Sequence, residues 1–197
     1  LRLRDVDVVV DDDFRGAGLA VEHLVELGHR SIALIDGGEG AGAGERRDGY
    51  RAAMATAGLT RFIHVEPGDF TERGGYMAAQ RLLARPRRPT SIFASNDQSA
   101  VGALDAINQA GLNVPRDVSL IGYDNTALAA LGHISLTTIH QPRNQIGEMA
   151  MKAVVRRIER PGAAARRHVL APKLVVRDTT ARPPSMATQL RRNESGT

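Results

Sequence analysis

The fold is decided by a stretch in the second half of the chain, Val118-Ser119-Leu120-Ile121-Gly122-Tyr123-Asp124-Asn125, in which an apolar run ends in polar residues. Short apolar runs rich in β-branched residues are typical of strands that are buried on both faces of a parallel sheet. Runs of the same kind recur along the chain and predict strands at residues 6–10, 31–35, 62–65, 91–94, 118–122, 136–139 and 174–176.

Segments with apolar residues at helical spacing separate these strands. Leu19, His23, Leu24 and Leu27 form one such stripe, and Gly28 follows it where a helix would end. The same pattern predicts helices at residues 16–27, 45–57, 73–84, 99–110 and 144–159. Alternation of strands and helices predicts an α/β fold in which a parallel sheet is flanked by helices.

The composition excludes several classes of protein. The chain has 197 residues, of which 42% are hydrophobic and 24% charged, a globular composition. The absence of cysteine excludes a disulfide scaffold, thiolate metal sites and a cysteine nucleophile. Because no apolar run approaches about 18 residues and the first residues lack the order of a signal peptide, we expect a soluble, cytoplasmic protein with no membrane partner.

The net charge of +4 invites a nucleic-acid interpretation, but the charge is unevenly distributed. Residues 1–140 carry 14 Arg and 18 acidic side chains, whereas residues 141–197 carry 12 basic and 4 acidic ones. A duplex-binding domain is expected to cluster its cations on one folded face. The basic excess instead reaches into residues 181–197, which have the composition of a disordered tail, so direct DNA binding is not expected.

Polar or glycine-containing residues follow five of the predicted strands. Ligands of parallel sheets bind outside the carboxyl ends of the strands, which meet at one edge. Each loop alone is explained by helix capping and turn formation, but five of them at one edge predict a pocket. The loops are Asp11-Asp12-Asp13, Asp36-Gly37-Gly38, Gly68-Asp69-Phe70, Ser95-Asn96-Asp97 and Tyr123-Asp124-Asn125.

A glycine-rich stretch follows the second predicted strand and precedes a helix, Gly37-Gly38-Glu39-Gly40-Ala41-Gly42-Ala43-Gly44. Residues 38–43 fit the loose dinucleotide fingerprint, but the acidic Glu66 lies 28 positions beyond Gly38, where the fingerprint has about 20. We favour a flexible loop at the edge of the pocket. A nucleotide-dependent oxidoreductase that uses this loop is the alternative.

Two residues near the predicted pocket depart from local preference. Arg46, with Arg47 beside it, lies in the first turn of a predicted helix, where the dipole favours anions, and its planar donors suit hydroxyl or carboxylate recognition. Phe70 lies in a loop, where an aromatic ring either packs into the core or stacks on a ligand. Asp69 and Asp124 lack a nucleophile to act with, and no metal-ligand spacing is present. We therefore expect no enzyme activity, cofactor or metal.

Taken in order, these segments resemble the effector-binding core of the LacI/GalR (lactose-repressor/purine-repressor) family of transcription factors. The run ending in Gly122-Tyr123-Asp124-Asn125, followed by Leu136-Thr137-Thr138, is the most specific part. The matching stretches are VEHLVELGHR (21–30), RRDGY (46–50), GDFT (68–71), PTSIFASND (89–97), VPRDVSLIGYDN (114–125), LTTIHQP (136–142) and LVVR (174–177).

The resemblance implies a two-lobed, type I periplasmic-binding-protein-like fold with a small effector in the cleft. Arg46 is similar to the arginine that hydrogen-bonds the effector, and Phe70 to the stacking aromatic residue. Asn96 is similar to a polar pocket contact, and Asp124 to the carboxylate that accepts sugar or ribose hydroxyls. The effector expected from the family is a sugar, nucleoside or base. A solute-binding protein of a transporter is a further alternative.

The resemblance also implies a division of the chain. Residues 1–135 and 160–180 are expected to form an essentially complete C-terminal lobe, and residues 136–159 to cross into a largely absent N-terminal lobe. We expect the chain to be N-terminally truncated, so that DNA is contacted only through an absent helix-turn-helix domain. One apolar helix face is then expected to be exposed, to pack on another chain or to be disordered. It comprises Ile146, Met149, Ala150, Ala153 and Ile158.

Family members dimerise through helices of this lobe, which implies a homodimer. Val101 and Leu104 are the candidate interface residues in this sequence, and ordinary core packing is the equal alternative for both.

Overall fold

Strands and helices alternate along the chain in the predicted order. The computed structural model describes residues 6–184. The elements are β1 (Val8–Asp11), α1 (Asp13–Glu26), β2 (Ile32–Ile35), α2 (Ala43–Thr56), β3 (His64–Glu66), α3 (Glu72–Leu83), β4 (Ser91–Ala94), α4 (Asp97–Gln109), β5 (Ser119–Asp124), β6 (Thr137–His140), α5 (Arg143–Glu159), β7 (Arg167–Leu170) and β8 (Lys173–Val175). The predicted strands and helices are all present, and only β7 is missing from the prediction.

Six of the strands form the main sheet, in the order β3-β2-β4-β5-β6-β8. The first five are parallel, and β8 runs antiparallel to β6 at one edge. The predicted α/β fold, a parallel sheet flanked by helices, is confirmed. Because the parallel strands share one direction, the loops that follow β2, β3, β4 and β5 lie at one edge of the sheet.

Alternate side chains of the central strands enter two separate cores. Leu34 and Phe93 face α1 and α2, whereas Ile35 and Ile92 face α3 and α4. Every residue of β2 and β4 is buried, as expected for strands covered on both faces. The backbones of α3 and α4 approach closely at Gly102, which has no side chain, since an added Cβ there would overlap the carbonyl oxygen of Glu72.

A second, smaller sheet lies outside the main one. Strands β1 and β7 pair in parallel, Val8 opposite Arg167, and α5 contacts β1. Asp7 fixes α5 to this sheet, since its carboxylate accepts hydrogen bonds from Arg156 (2.7 Å) and Arg157 (3.0 Å).

The boundaries of the two parts differ from the expectation. Strand β6 was expected within the segment 136–159 that crosses between lobes, but it lies in the main sheet between β5 and β8. Conversely, β1 and β7 were expected in the lobe formed by residues 1–135 and 160–180, but they form the small sheet beside α5. The physical reason is the long-range pairing of β1 with β7, for which the sequence carries no local signal.

The helix α5 has no buried residue. Of the face predicted to be exposed, Ala150 and Ile158 are exposed, while Ile146, Met149 and Ala153 are half-buried. Ile158 is 73% exposed. Further exposed apolar side chains lie beside it at helical spacing, at Met151, Val154 and Val155.

The end of the described chain is held against the main sheet. Residues 181–197 were expected to be disordered, but Ala181 donates from its amide to the Ser119 hydroxyl (3.0 Å) and accepts from Nε2 of the buried His29 (2.8 Å). The remainder of that expectation, residues 185–197, lies outside the described residues. Within residues 6–184, no helix is long and apolar enough to cross a membrane.

Candidate functional site

Arg46 lies at the centre of the polar edge of the main sheet. Its side chain is buried, and its guanidinium donates to the Asp13 carboxylate from Nε (2.6 Å) and to the Ser95 carbonyl oxygen from Nη1 (2.5 Å). Nη2 lies 3.9 Å from Oδ1 of Asp124. A buried guanidinium needs such acceptors, because burying an unpaired charge is costly. The unusual first-turn arginine is thus held towards the strand ends.

Two aromatic rings lie beside the same guanidinium. The Arg46 Cζ atom is 3.8 Å from the Tyr123 ring centroid and 5.4 Å from the Phe70 ring centroid, distances at which cation–π attraction operates. The Tyr123 hydroxyl donates to Asp11 Oδ2 (3.0 Å), and burial raises the pKa of this phenol. Tyr123 therefore links Arg46 to the end of β1.

Asp13 is the carboxylate that pairs with Arg46, and the sequence alone did not assign it this role. Burial raises the pKa of its carboxyl, and the neighbouring Arg46 charge opposes that shift. Asp13 belongs to one of the predicted polar loops, which was a usable signal for its place at this edge. Tyr123 begins another of these loops, but an aromatic residue at the end of a buried strand is also typical of a core position, so its contact with Arg46 was not predicted.

Phe70 is held in a strained backbone conformation. Its φ is 63°, in the left-handed region that costs non-glycine residues energy. Asn96 Nδ2 donates to the Phe70 carbonyl oxygen (2.9 Å). The ring is half-buried and lies against Gly37 and Gly40, where an added Cβ would overlap ring atoms.

Asn96 has a different environment from the one expected of a ligand contact. Its Oδ1 accepts from the Ser99 amide (2.8 Å) as the N-cap of α4, and its Nδ2 supports Phe70. Both ends of the side-chain amide therefore bond to the protein itself. The structure brings Arg46, Phe70 and Asp124 together and places Asn96 behind Phe70 as a support.

The carboxylate of Asp124 is available to accept a hydrogen bond. Its side chain is 22% exposed, and within residues 6–184 its carboxylate makes no hydrogen bond beyond the longer contact with Arg46. Burial raises its pKa to about 6, the Arg46 charge opposes the shift, and the Asp97 charge adds to it. Its φ of 106° shows that the loop forces it out of the ordinary strand conformation.

The loop after β5 is fixed from both sides. The buried Asp97 accepts hydrogen bonds from the Thr126 amide (2.6 Å) and the Thr138 hydroxyl (2.6 Å), and burial raises the pKa of this carboxyl. Asn125 accepts at its carbonyl oxygen from Arg143 (3.2 Å) and at Oδ1 from Arg177 (2.7 Å). The residue beside Asp124 is thus held both by the first residue of α5 and by a residue that follows β8.

The glycine-rich loop is not arranged as a pyrophosphate site. Helix α2 begins after Gly42, and a Cβ there would lie 2.6 Å from Oδ2 of Asp13. A carboxylate at this helix N-terminus would repel a pyrophosphate, which such termini otherwise attract. Over the part of the chain that the structure describes, no group of three or more acidic or histidine side chains is placed to hold a metal ion.

The candidate interface residues lie on α4. Val101 and Leu104 are both half-buried, and Leu104 packs against the core beneath. A short turn, Leu128–Ala130, contacts the same helix and leaves Leu128 exposed.

The sequence matches the family model described as a periplasmic binding protein-like domain over residues 21–180. The ribose operon repressor of Escherichia coli (strain K12) is 42% identical over 175 residues, which are 88% of this chain and 53% of the repressor. The chain thus spans about half the length of this curated relative.

Solved structures extend the comparison to the fold. A LacI transcriptional regulator from a Rhodococcus species superposes with a TM-score of 0.90 at 41% identity, over 93% of this chain and 68% of that one. A LacI family regulator from Enterococcus faecium with bound ribose gives 0.83 at 33% identity, over 89% of this chain and 66% of that one. The relatives are regulators, so neither the oxidoreductase nor the transporter alternative is favoured. The chain belongs to the periplasmic binding protein-like domains of LacI-type transcriptional regulators.

Proposed function

We propose that this chain is the effector-sensing part of a transcriptional regulator and binds a sugar or a ribose-containing molecule at Arg46, Phe70 and Asp124. The observation that carries the proposal is the Asp124 carboxylate, which is 22% exposed at the edge of the sheet and accepts no hydrogen bond from residues 6–184. No protein donor therefore competes for this carboxylate. A ligand hydroxyl can donate to it while the ligand displaces solvent from the site.

The remaining groups of the site fit the same ligand class. Arg46 lies 3.9 Å from Asp124 and can donate to a ligand oxygen that bridges the two side chains. The half-buried Phe70 ring offers an apolar face beside them. Donor, acceptor and flat apolar surface together match a sugar ring, which is polar at its hydroxyls and apolar at its C–H faces. The ribose in the related Enterococcus faecium structure supports this class of ligand.

The sensing role needs no chemical step. We propose that effector binding favours one arrangement of the main sheet relative to β1, β7 and α5, through a difference in affinity between arrangements. DNA contact is assigned to an N-terminal domain outside this chain, and the regulator is assigned to the cytoplasm, where its operator is.

We propose a homodimer as the assembly. The surface formed by Met77, Val101, Leu104, Leu128 and Leu131, the α4 patch, holds large apolar side chains that are exposed or half-buried. These side chains lie on α4 and on the two elements that contact it, α3 and the turn at residues 128–131, and exposed apolar side chains on neighbouring elements are typical of an interface. A second copy of the chain is the proposed partner.

The proposal is tested by titrating the ¹⁵N-labelled chain with D-ribose, D-glucose, adenosine and NADH, because chemical shifts report even millimolar binding. We expect one of the first three to shift the amides of residues 68–71 and 122–126. Phe70→Ala and Asp124→Ala should each weaken that binding, whereas the exposed control Arg51→Ala should not. Unchanged affinity in both site variants, or shifts caused by NADH alone, would refute the assignment.

A further inference from the structure

The glycine-rich loop packs directly against the ring of Phe70. The Phe70 ring lies against Gly37, where an added Cβ would overlap ring atoms Cζ, Cε1 and Cε2, and against Gly40, where it would overlap Cε2 and Cδ2. Neither glycine has a φ in the left-handed region, unlike Gly38 and Gly42. The backbone at residues 37 and 40 therefore does not adopt the left-handed conformation that favours glycine. The main obstacle to a side chain at either position is the Phe70 ring.

The loop beneath the ring is itself held in place. Arg47 donates from Nη2 to Asp36 Oδ2 (2.7 Å) and to the carbonyl oxygen of Gly38 (3.0 Å), and from Nε to the same carboxylate oxygen (3.1 Å). These bonds join the fifth residue of α2 to the start of the loop. Arg47 thus has specific structural partners in Asp36 and Gly38.

Phe70 is fixed at its backbone as well as at its ring. Asn96 bonds to its carbonyl oxygen (2.9 Å), and the next residue, Thr71, caps α3 by accepting from the Gly74 amide (2.9 Å). With the backbone held by these contacts and the ring held by Gly37 and Gly40, the distance between ring and guanidinium has little freedom. That distance is 5.4 Å from the ring centroid to Arg46 Cζ.

We propose that Gly37, Gly40 and Arg47 are positioning residues of the effector site, which fix the Phe70 ring and so set how a flat ligand ring fits beside Arg46. The inference rests on the proposed function, since it assigns the ring a ligand to stack on. It gives the glycine stretch a role as the support of a stacking residue. The ligand specificity of the site then depends on Gly37, Gly40 and Arg47, which need not contact the ligand themselves.

The ring position is tested first without ligand. In the ¹H–¹⁵N spectrum, ring-current shifts of the Gly37 and Gly40 protons should collapse in Phe70→Leu. Gly37→Ala and Gly40→Ala should move the Phe70 ring resonances and the Asn96 side-chain amide signal. Gly44→Ala is the matched control, because Gly44 lies in α2 with open space around it. Phe70 ring signals that stay unchanged in both loop variants would overturn the proposal.

Binding is tested second, with D-ribose as the probe. Loss of an aromatic contact should weaken binding about three- to tenfold in Gly37→Ala and Gly40→Ala, with Arg47→Ala affected in the same direction and Gly44→Ala unaffected. A moved ring with unchanged ribose affinity would refute the positioning role. If the unmodified chain binds no sugar, the proposed function fails, while the ring measurements still decide whether the loop supports Phe70. If Gly37→Ala or Gly40→Ala does not fold, Arg47→Ala is used to measure both the Phe70 ring resonances and the ribose affinity.

Discussion

Arg46 and Asp124 face each other across the carboxyl edge of the main sheet, with Nη2 3.9 Å from Oδ1 and no hydrogen bond between them. Arg46 is already bonded to Asp13 and Ser95, whereas Asp124 has no hydrogen-bonded partner within residues 6–184. A ligand hydroxyl beside this pair can accept a hydrogen bond from Arg46 and donate one to Asp124. The negative charge of Asp124 is poorly neutralised by the protein. This affects the stability of the fold and the pH dependence of effector binding.

Asp124→Asn should stabilise the fold while it weakens effector binding. The pKa of Asp124 is raised from 3.8 to about 6, so the folded chain binds a proton more tightly than the unfolded chain does. Stability from this group is therefore highest below pH 4 and declines as pH rises through 6. At pH 7.5, removing the charge should raise the free energy of urea unfolding by about 1–2 kcal/mol.

The exposed Asp105 provides the control, since Asp105→Asn makes the same charge change away from the site. A destabilised Asp124→Asn, or one that binds the sugar normally, would contradict the assignment of Asp124 as a free acceptor.

Effector affinity should fall in acid. A protonated carboxyl loses its negative charge and is a weaker acceptor for a ligand hydroxyl. Binding should therefore be strongest above pH 7 and decline as pH falls through about 6. Titrations between pH 5 and 8 measure this, with Asp124→Asn as the pH-independent reference. A profile that is flat in the unmodified chain, or one that has the same slope in the variant, would exclude Asp124 as the titrating group.

Arg46→Met should destabilise the fold as well as abolish binding. The substitution leaves Asp13 buried without its cation, and breaking a buried pair by removing one partner costs about 3 kcal/mol or more. Arg46→Lys should not rescue it, because one ammonium cannot reach Asp13 and the Ser95 carbonyl oxygen in the same geometry. Urea unfolding of Arg46→Met with and without Asp13→Asn gives the measurement. The double variant should recover part of the loss, and strict additivity would show that the pair is not coupled.

The sequence was sufficient for most of the strands and for the helices, because burial on both faces leaves a continuous apolar signal in strands such as β2 and β4. It also predicted the edge of the sheet at which Arg46, Phe70 and Asp124 lie. Arg46 could be found from sequence since it departs from the helix-dipole preference, and Phe70 since it is aromatic in a loop. The role of Asn96 as a support could not be read, because capping and ligand contact favour the same residue type. The pairing of Val8 with Arg167 spans most of the chain and leaves no local pattern, so the small sheet could not be predicted.

Asp7→Asn should loosen α5 from the small sheet. Asp7 accepts from Arg156, from Arg157 and from the Arg166 amide, and the hydrogen bond from Arg157 is the main cause that lowers its pKa to about 2. Its stabilising effect is complete above pH 4 and is lost as pH falls towards 2. Hydrogen exchange at pH 7 should speed up in α5 and β7 of the variant while β4 stays protected. Asp48→Asn, an exposed acidic residue on α2, is the control. Unchanged exchange in α5 would show that its apolar contacts with β1 suffice.

Leu128→Asp should weaken the proposed dimer without unfolding the chain. Leu128 is 42% exposed, and its turn contacts α4, so a charge there enters the α4 patch and leaves the core intact. A charge buried at an interface without a partner is unfavourable, so light scattering should show the mass of the variant falling towards that of a monomer. Ile158→Asp is the matched control, because it introduces the same charge into the exposed apolar side of α5. Dissociation by Ile158→Asp instead would place the interface on α5, and a monomeric parent chain at high concentration would remove the α4 patch as a self-association surface.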